Sequence, residues 1–244
     1  MILYPAIDIF DGNAVRLTKG EFDARKVYDE DPLAAARRWV AAGAERLHVV
    51  DLDGAREGRP VNLEHVRAIA AALDVPVQLG GGLRSAAAID AALGAGVQRV
   101  IVGTAAVNDP DLLARALEQH GPERVVVSVD IREGRVTTEG WTKPSDVSTR
   151  EVFADLIARG VKELAYTDVD RDGMLSGVGR EDVVWAARAV GESAHLIYSG
   201  GIGQIDDLRA LAALGEPSLT GVIVGKALYE GRFTVAEAKA ALTV

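Results

Sequence analysis

The feature that most restricts the fold of this chain is an internal repeat with a spacing of about 120 residues. The segment AIDI, which contains Asp8, returns as SVDI, which contains Asp130, and VVDLDGA around Asp51 returns as YTDVDRDG around Asp168. Two glycine-containing segments follow in the same order in each half: LGGGLR and VIVGTA in the first, YSGGIG and VIVGKA in the second. Four matches in one order, at nearly constant spacing, indicate that the chain consists of a duplicated half.

Each half contains four short apolar runs, and each run is followed by a longer amphipathic stretch rich in alanine. The runs are nearly continuous in Val, Ile and Leu, which is typical of strands buried on both faces of a parallel sheet. The predicted strands are Ile2–Ile9, Arg46–Leu52, Val75–Leu79, Arg99–Val102, Arg124–Ile131, Glu163–Val169, His195–Ser199 and Gly221–Val224. The predicted helices are Pro32–Ala42, Leu63–Leu73, Ala86–Leu93, Asp111–Gln119, Ser148–Ala158, Arg180–Ala189, Ile205–Leu214 and Thr234–Leu242.

Eight strand–helix units are the number found in a (β/α)8 barrel, although a doubly wound sheet shows the same alternation. The repeat favours the barrel, because two halves of four units can close around a pseudo-twofold axis. No Pro- or Ser-rich linker separates the halves, so two independent domains are disfavoured. We therefore predict an α/β fold, a single (β/α)8 TIM barrel over residues 1–244, with half-barrel repeats at about 1–122 and 123–244.

Composition narrows the function classes. The 36 acidic and 27 basic residues give a net charge of −9, which disfavours binding to nucleic acid or to an anionic membrane. Cysteine is absent, so no disulfide or thiolate site is possible, and the four histidines are too scattered to predict a metal site. No apolar run is long enough for a membrane helix, and the first residues resemble no targeting peptide. We expect a soluble protein of the cytoplasm.

Glycine clusters follow the third and fourth predicted strands of each half. In a barrel these positions lie at the C-terminal face, where active sites form, and glycines there let backbone N–H groups approach an anion closely. The alternative is that they only form tight turns, a role less favoured for two equivalent clusters than for one. The residues of the two predicted phosphate cradles are Gly81, Gly82, Arg84, Gly103, Thr104, Ser199, Gly200, Gly201, Gly225 and Lys226. Two cradles predict a small-molecule substrate with a phosphate at each end.

Carboxylates end several of the predicted strands. Asp8 ends the first strand and Asp130 ends the fifth, so the pseudo-twofold axis places them on opposite sides of the barrel mouth. Two facing carboxylates suit general acid–base chemistry. Asp172 lies in the loop after the sixth strand, and Asp51 and Asp53 lie in the equivalent loop of the first half. Some of these side chains are expected to cap helices or bind loop amides instead.

Other chemistries fit the sequence less well. Schiff-base catalysis requires a lysine close to a strand end, and only Lys226 follows a strand closely, at a predicted phosphate position. His48 falls inside a strand and is interpreted as a residue of the barrel interior, while His195 begins a strand at the end opposite the mouth. Arg16, in the loop after the first strand, binds substrate or is a surface residue. Trp141, in the loop after the fifth strand, stacks on a heterocycle or packs its loop onto the barrel.

The segments PAIDIFDGNAVRL, HVVDLDGA, LGGGLR, VIVGTAA, VDIREGRV, TDVDRDGMLSG, SGGI and VIVGKALY together resemble the histidine-biosynthesis barrels over essentially the whole chain. The opening segment, with its VRL, is similar to the isomerase branch rather than to the cyclase branch of that family. The resemblance implies an intramolecular oxidoreductase of the aldose–ketose isomerase type. Its reaction is an Amadori rearrangement of an aminoaldose to an aminoketose, in a substrate with two phosphoribosyl-derived arms.

The resemblance also implies roles for individual residues. Asp8 matches the family's proton acceptor, and Asp130 matches the proton donor that opens the ribose ring. Asp172 and Thr167 match positions that assist catalysis or orient the substrate, and whether Asp130 or Asp172 is the general acid stays open. Gly177, in the same segment as Asp172, is added to the predicted phosphate-binding residues. The implied reaction requires neither a metal nor an organic cofactor.

Three alternatives remain open at this stage. Some members of the isomerase branch also rearrange phosphoribosyl anthranilate, but the segment TEGWTKPSD is closer to the single-substrate enzymes. The cyclase branch shares the cradles and the paired aspartates, and it requires a glutaminase partner. A degenerate barrel that only binds a sugar phosphate is the non-enzymatic alternative. We expect the protein to be a monomer.

Overall fold

The computed structural model describes residues 1–18, 21–29, 31–138 and 143–243. The strands in these residues are β1 (Ile2–Phe10), β2 (Asn13–Thr18), β3 (Glu21–Asp29), β4 (Leu47–Asp51), β5 (Val77–Gly80), β6 (Arg99–Val102), β7 (Val125–Arg132), β8 (Arg135–Thr138), β9 (Lys143–Ser148), β10 (Glu163–Asp168), β11 (His195–Ser199) and β12 (Leu219–Val224). The helices are α1 (Pro32–Ala41), α2 (Leu52–Glu57), α3 (Leu63–Ala72), α4 (Ala86–Gly94), α5 (Thr104–Asn108), α6 (Pro110–His120), α7 (Thr149–Ala158), α8 (Arg180–Val190), α9 (Ile205–Ala212), α10 (Lys226–Tyr229) and α11 (Val235–Leu242).

Eight parallel strands close into a barrel. Their order is β1-β4-β5-β6-β7-β10-β11-β12, and β12 pairs with β1 to complete the ring. A closed ring leaves no barrel strand with an unpaired edge, which distinguishes it from a doubly wound sheet. The prediction of a single (β/α)8 barrel is confirmed, and all eight predicted strands match barrel strands to within two residues at each end.

The buried core lies mainly between the barrel and its ring of helices. The apolar runs of the sequence form its inner wall: Val125 and Val127 on β7 are completely buried, as are Val183 and Ala186 on α8. A second apolar layer fills the interior of the barrel, where Ile101 packs with neighbours on β7 and β10. Burial on both faces explains why these strands show no alternation of polar and apolar residues.

The helix boundaries follow from local capping. The Asp31 side chain accepts a hydrogen bond from the Leu33 amide (2.9 Å), and Pro32 is the first helical residue of α1, where the sequence predicts this helix to begin. Gly43 follows α1 with a φ of +98°, and α4 ends at Gly94, two residues before Gly96, which also has a φ of +98°. No helix in the described part of the chain is long and apolar enough to cross a membrane.

The segments after β1 and β7, which the sequence analysis treated as loops, contain antiparallel strands. Residues Asp11 and Gly12 connect β1 to β2, with φ values of +49° and +73°, and Glu133 and Gly134 connect β7 to β8, with +50° and +74°. Two central residues with positive φ are the signature of the tight turn that joins antiparallel strands. Each half of the barrel therefore extends its first strand into a hairpin that stands beyond the barrel rim.

Candidate active site

A cavity of about 350 Å³ opens at the carboxyl ends of the barrel strands. Its walls include residues from both halves of the chain, as the sequence predicts for a site at this face. The predicted site residues that line it are Asp8, Gly81, Gly82, Arg84, Gly103, Thr104, Asp130, Thr167, Asp172, Ser199, Gly200, Gly201, Gly225 and Lys226.

Three predicted site residues are not among the described residues that line the cavity. Gly177 is not among the residues that line the cavity; its amide donates to the carbonyl oxygen of Gly201 (3.0 Å), so it supports one glycine turn from behind. Arg16 belongs to β2 rather than to a loop, and its side chain lies outside what the structure describes. Trp141 also lies outside the described residues.

Asp8 and Asp130 lie where the barrel wall becomes a hairpin. Asp8 is paired with Val50 of β4 on one side and with Val15 of β2 on the other. Asp130 is paired with Thr167 of β10 and with a residue of β8. Asp8 is 9% exposed. Each aspartate is therefore fixed on both sides by strand pairing, and each faces the shared cavity.

A serine contacts the second of these aspartates. The hydroxyl group of Ser128 donates a hydrogen bond to Oδ1 of Asp130 (3.1 Å), and both side chains line the cavity. A hydrogen bond accepted by a carboxylate favours its ionised form. The sequence analysis missed Ser128, although it lies two residues before Asp130 on the same strand and therefore on the same face.

Asp172 reaches the cavity from the loop after β10, and contacts of the neighbouring Asp168 hold that loop in place. The carboxylate of Asp168 lies 3.0 Å from Nε of Arg171, and the Asp168 carbonyl oxygen accepts a hydrogen bond from the Asp172 amide (2.9 Å). Burial raises the pKa of Asp168, and the positive charge of Arg171 opposes the rise. Asp168 shapes this loop, while Asp172 lines the cavity.

Asp51 has the corresponding structural role in the first half. Its carboxylate accepts hydrogen bonds from the backbone amides of Gly54 (2.8 Å), Val61 (2.7 Å) and Asn62 (2.9 Å), and it is completely buried. These contacts satisfy the donors at the start of α2 and in the loop that follows it. Of the carboxylates considered from the sequence, Asp51 is one that binds loop amides.

The glycine pairs after β5 and β11 are required by close backbone packing. A Cβ atom on Gly81 would lie 2.1 Å from the carbonyl oxygen of Asp51, and one on Gly200 would lie 2.6 Å from that of Asp168. Both glycines also have φ values above +100°. The tight-turn role of these glycines is thus real in both halves, and it leaves their backbone in the cavity wall, where amide groups can bind an anion.

The other part of each cradle is the turn after β6 or β12. Gly103 and Gly225 directly precede α5 and α10, and neither helix start has a side-chain cap. Two cations also line the cavity: Arg84, in the loop after β5, donates to the carbonyl oxygen of Ala55 (2.9 Å), and Lys226, at the start of α10, donates to that of Gly173 (2.9 Å). Each half thus supplies uncapped amides and one cation to the cavity wall, with the two cations at different positions of the repeat, and both features suit a phosphate.

His48 also lines the cavity. Its Nδ1 atom lies 2.9 Å from the side-chain nitrogen of Gln78, a residue that is 2% exposed and is paired with His48 across β4 and β5. The sequence analysis placed His48 in the barrel interior, which is where it lies, but did not count it as a site residue. Within the described ranges, no three His, Asp or Glu side chains are grouped as metal ligands.

Comparison with known proteins gives consistent matches over nearly the whole chain. Residues 2–234 match the model of a family described as histidine biosynthesis protein. Relatives from Chloroflexus aggregans, Roseiflexus sp. and Rhodospirillum rubrum are each 48% identical to this chain, over 98%, 99% and 99% of it and over 96%, 100% and 99% of their own lengths. Each relative is named 1-(5-phosphoribosyl)-5-((5-phosphoribosylamino)methylideneamino)imidazole-4-carboxamide isomerase.

Proposed function

We propose that this chain, which belongs to the histidine biosynthesis protein family, is an isomerase that converts a bis-phosphorylated imidazole carboxamide aminoaldose to the aminoketose. The relatives from Chloroflexus, Roseiflexus and Rhodospirillum are named for an isomerase of this substrate. The observation that carries the proposal is that one cavity is lined by Asp8, by Asp130 and by both glycine turns. A substrate with a phosphate at each end matches a cavity with one anion-binding turn from each half.

The proposed reaction is a proton transfer sequence between two carboxyl groups. The acid protonates the ribose ring oxygen, the ring opens, and a protonated imine forms. Asp8 then removes the proton from C2, and the resulting enolamine tautomerises to the ketone. Each step moves a proton at a stated atom, so the carboxyl groups on the two sides of the cavity supply the chemistry.

The acid has two candidates. The family resemblance assigns the role to Asp130, which accepts a hydrogen bond from Ser128. That bond favours the ionised carboxylate, whereas an acid must carry its proton when the reaction begins. This hydrogen bond counts against Asp130, and the family resemblance alone carries the assignment. We propose Asp130 as the acid and test Asp172 beside it, with Thr167 as a residue that orients the substrate.

Steady-state turnover of the purified protein tests the proposal. We expect the imidazole carboxamide substrate to be converted, and we expect Asp8→Asn to lower kcat by roughly 100-fold to 10,000-fold, the range of general base catalysis. Asp74→Asn, an exposed aspartate in the loop before β5, is the matched control and should retain full activity. Absence of turnover by the wild-type protein would contradict the proposed function, and an active Asp8→Asn variant would remove Asp8 from the role of base.

The same assay separates this function from its closest alternatives. Comparable turnover of phosphoribosyl anthranilate would make the protein a bisubstrate isomerase, whereas we expect weak activity or none. Copurification of a glutaminase subunit would favour the cyclase branch. We further propose that the enzyme works as a monomer in the cytoplasm. We also propose that it needs no metal or organic cofactor, because the proposed chemistry consists of proton transfers. Sedimentation of the purified protein tests whether it is a monomer, and activity after treatment with a chelator tests whether it needs a metal.

A further inference from the structure

The two hairpin turns beyond the barrel rim are held by carboxylates in the same way. The amide of Asp11 donates a hydrogen bond to Oδ2 of Asp53 (2.8 Å), and the amide of Glu133 donates to Oδ2 of Asp170 (2.8 Å). Asp53 lies two residues beyond Asp51, and Asp170 lies two residues beyond Asp168, so the two acceptors occupy equivalent positions in the repeat.

These turns need an external partner. Asp11 and Glu133 have φ values of +49° and +50°, a conformation that costs a residue other than glycine free energy. The amide of the first central residue of such a turn has no acceptor inside the turn. A carboxylate placed at that amide gives a charge-assisted hydrogen bond and so stabilises the strained conformation.

Each turn lies three residues after one of the aspartates of the site. Asp8 and Asp11 share the end of one hairpin, and Asp8 is paired there with Val15. Asp130 and Glu133 share the end of the other, and the Thr137 hydroxyl group donates to the Asp130 carbonyl oxygen (3.1 Å). A bond that fixes the turn therefore also fixes the strand end that carries the aspartate.

We propose that Asp53 and Asp170 are positioning residues, which hold the two hairpins and through them orient Asp8 and Asp130 for proton transfer. The inference rests on the proposed function for the roles of Asp8 and Asp130. Neither Asp53 nor Asp170 lines the cavity.

The hydrogen bonds that Asp53 and Asp170 accept from the two turns differ in strength. Asp53 is 4% exposed and also accepts hydrogen bonds from Nδ2 of Asn62 (2.8 Å) and Nη2 of Arg56 (3.2 Å). The side chain of Asp170 is 48% exposed, and its charged neighbour Arg132 lies 3.7 Å away. Water can replace an exposed acceptor more easily than a buried one, so loss of Asp53 has the larger effect.

Amide hydrogen exchange and steady-state kinetics of Asp53→Ala and Asp170→Ala test the inference. In Asp53→Ala, we expect exchange at the Asp11 amide to become at least tenfold faster and kcat to fall about tenfold, with a smaller change in KM. In Asp170→Ala, exchange at Glu133 should accelerate and kcat should fall about threefold. Asp53→Asn keeps an oxygen acceptor and should restore part of kcat, which also covers the case in which the alanine variant does not fold.

Asp109→Ala is the matched control. Asp109 accepts the Leu112 amide at the start of α6 (2.9 Å) and belongs to neither hairpin, so its loss should lower the melting temperature and leave kcat unchanged. Unchanged exchange at Asp11 in Asp53→Ala overturns the anchoring, and faster exchange with wild-type kcat overturns the positioning role. If the wild-type protein does not turn over the substrate, the proposed function fails separately, because the exchange measurement needs no substrate.

Discussion

At the scale of single residues, the pair formed by Ser128 and Asp130 decides how one carboxyl group of the site behaves. The two side chains lie on the same face of β7, and the hydroxyl group donates to the carboxylate at 3.1 Å. Removal of the donor takes away one hydrogen bond to the carboxylate and so makes the ionised form of Asp130 less favourable. The ionisation of Asp130 therefore moves to higher pH when the serine is replaced.

This shift yields a prediction for Ser128→Ala. If Asp130 is the general acid, it must be protonated, so the alkaline limb of the kcat profile should move to higher pH. Ser218→Ala is the control, because Ser218 is buried and donates to the Ala187 carbonyl oxygen (2.7 Å), outside the cavity. Movement of the acidic limb instead would mean that Asp130 works in its ionised form and that Asp172 is the better candidate for the acid.

Some residues of the site could be predicted from the sequence, and others could not. Asp8 and Asp130 could be placed at one mouth because each ends a predicted strand at an equivalent point of the repeat. Ser128 could have been found in the same way, from the two-residue period of a strand. The contacts of Asp53 could not, because they depend on which loop of the folded barrel lies beside the turn at Asp11.

At the scale of elements, the turns after β5 and β11 are fixed by their glycines more strictly than other turns. A Cβ atom on Gly200 would lie 2.6 Å from the Asp168 carbonyl oxygen, in a backbone with a φ of +111°. Gly215 also has a positive φ, +64°, but no heavy atom lies within 4 Å of the position of its Cβ. The two positions separate the cost of an unfavourable φ from the cost of a steric overlap.

We predict that Gly200→Ala lowers the free energy of unfolding by about 3 kcal/mol or more, because backbone strain and overlap with the carbonyl group add. Gly215→Ala should lower it by about 1 kcal/mol, the cost of the positive φ alone. Urea unfolding of both variants measures the difference. Equal losses would show that the loop after β10 can move away from Gly200, in which case close packing would not explain the glycine.

The two hairpins after β1 and β7, which the sequence analysis missed, have a recognisable sequence pattern. The segments IFDGNAV and IREGRVT each place an acidic residue and a glycine between short runs with apolar residues, and Asp-Gly in that setting is a strong hairpin signal. The sequence analysis treated both segments as loops. The short helices α2, α5 and α10 had no such signal, since four to six residues are too few to show a helical period.

At the scale of the whole molecule, the cavity lies at the carboxyl ends of the barrel strands, and a cluster of charged side chains lies at the amino ends. The amino ends of β6, β10 and β11 begin with Arg99, Glu163 and His195. Glu163 binds Arg99 through both carboxylate oxygens (3.2 Å each), and its Oε1 lies 3.1 Å from Nδ1 of His195. The sequence places all three residues at strand starts, but which of them meet follows from strand order and register, which the sequence pattern did not provide. The half-barrel origin proposed from the repeat is consistent with equivalent hairpins in both halves.

This division predicts that stability and catalysis can be changed separately. Glu163→Gln leaves the charge of Arg99 without its partner at a site where the arginine side chain is 15% exposed, so we expect the free energy of unfolding to fall by about 3 kcal/mol. Asp206→Asn, which breaks an ion pair with exposed partners, should cost less than about 1 kcal/mol. Because Glu163 lies at the end of the barrel away from the cavity, kcat should stay at the wild-type value in both variants, as measured below the temperature at which either unfolds. A large loss of kcat in folded Glu163→Gln would contradict the separation and would mean that the register of β10, which carries Thr167, depends on this ion pair.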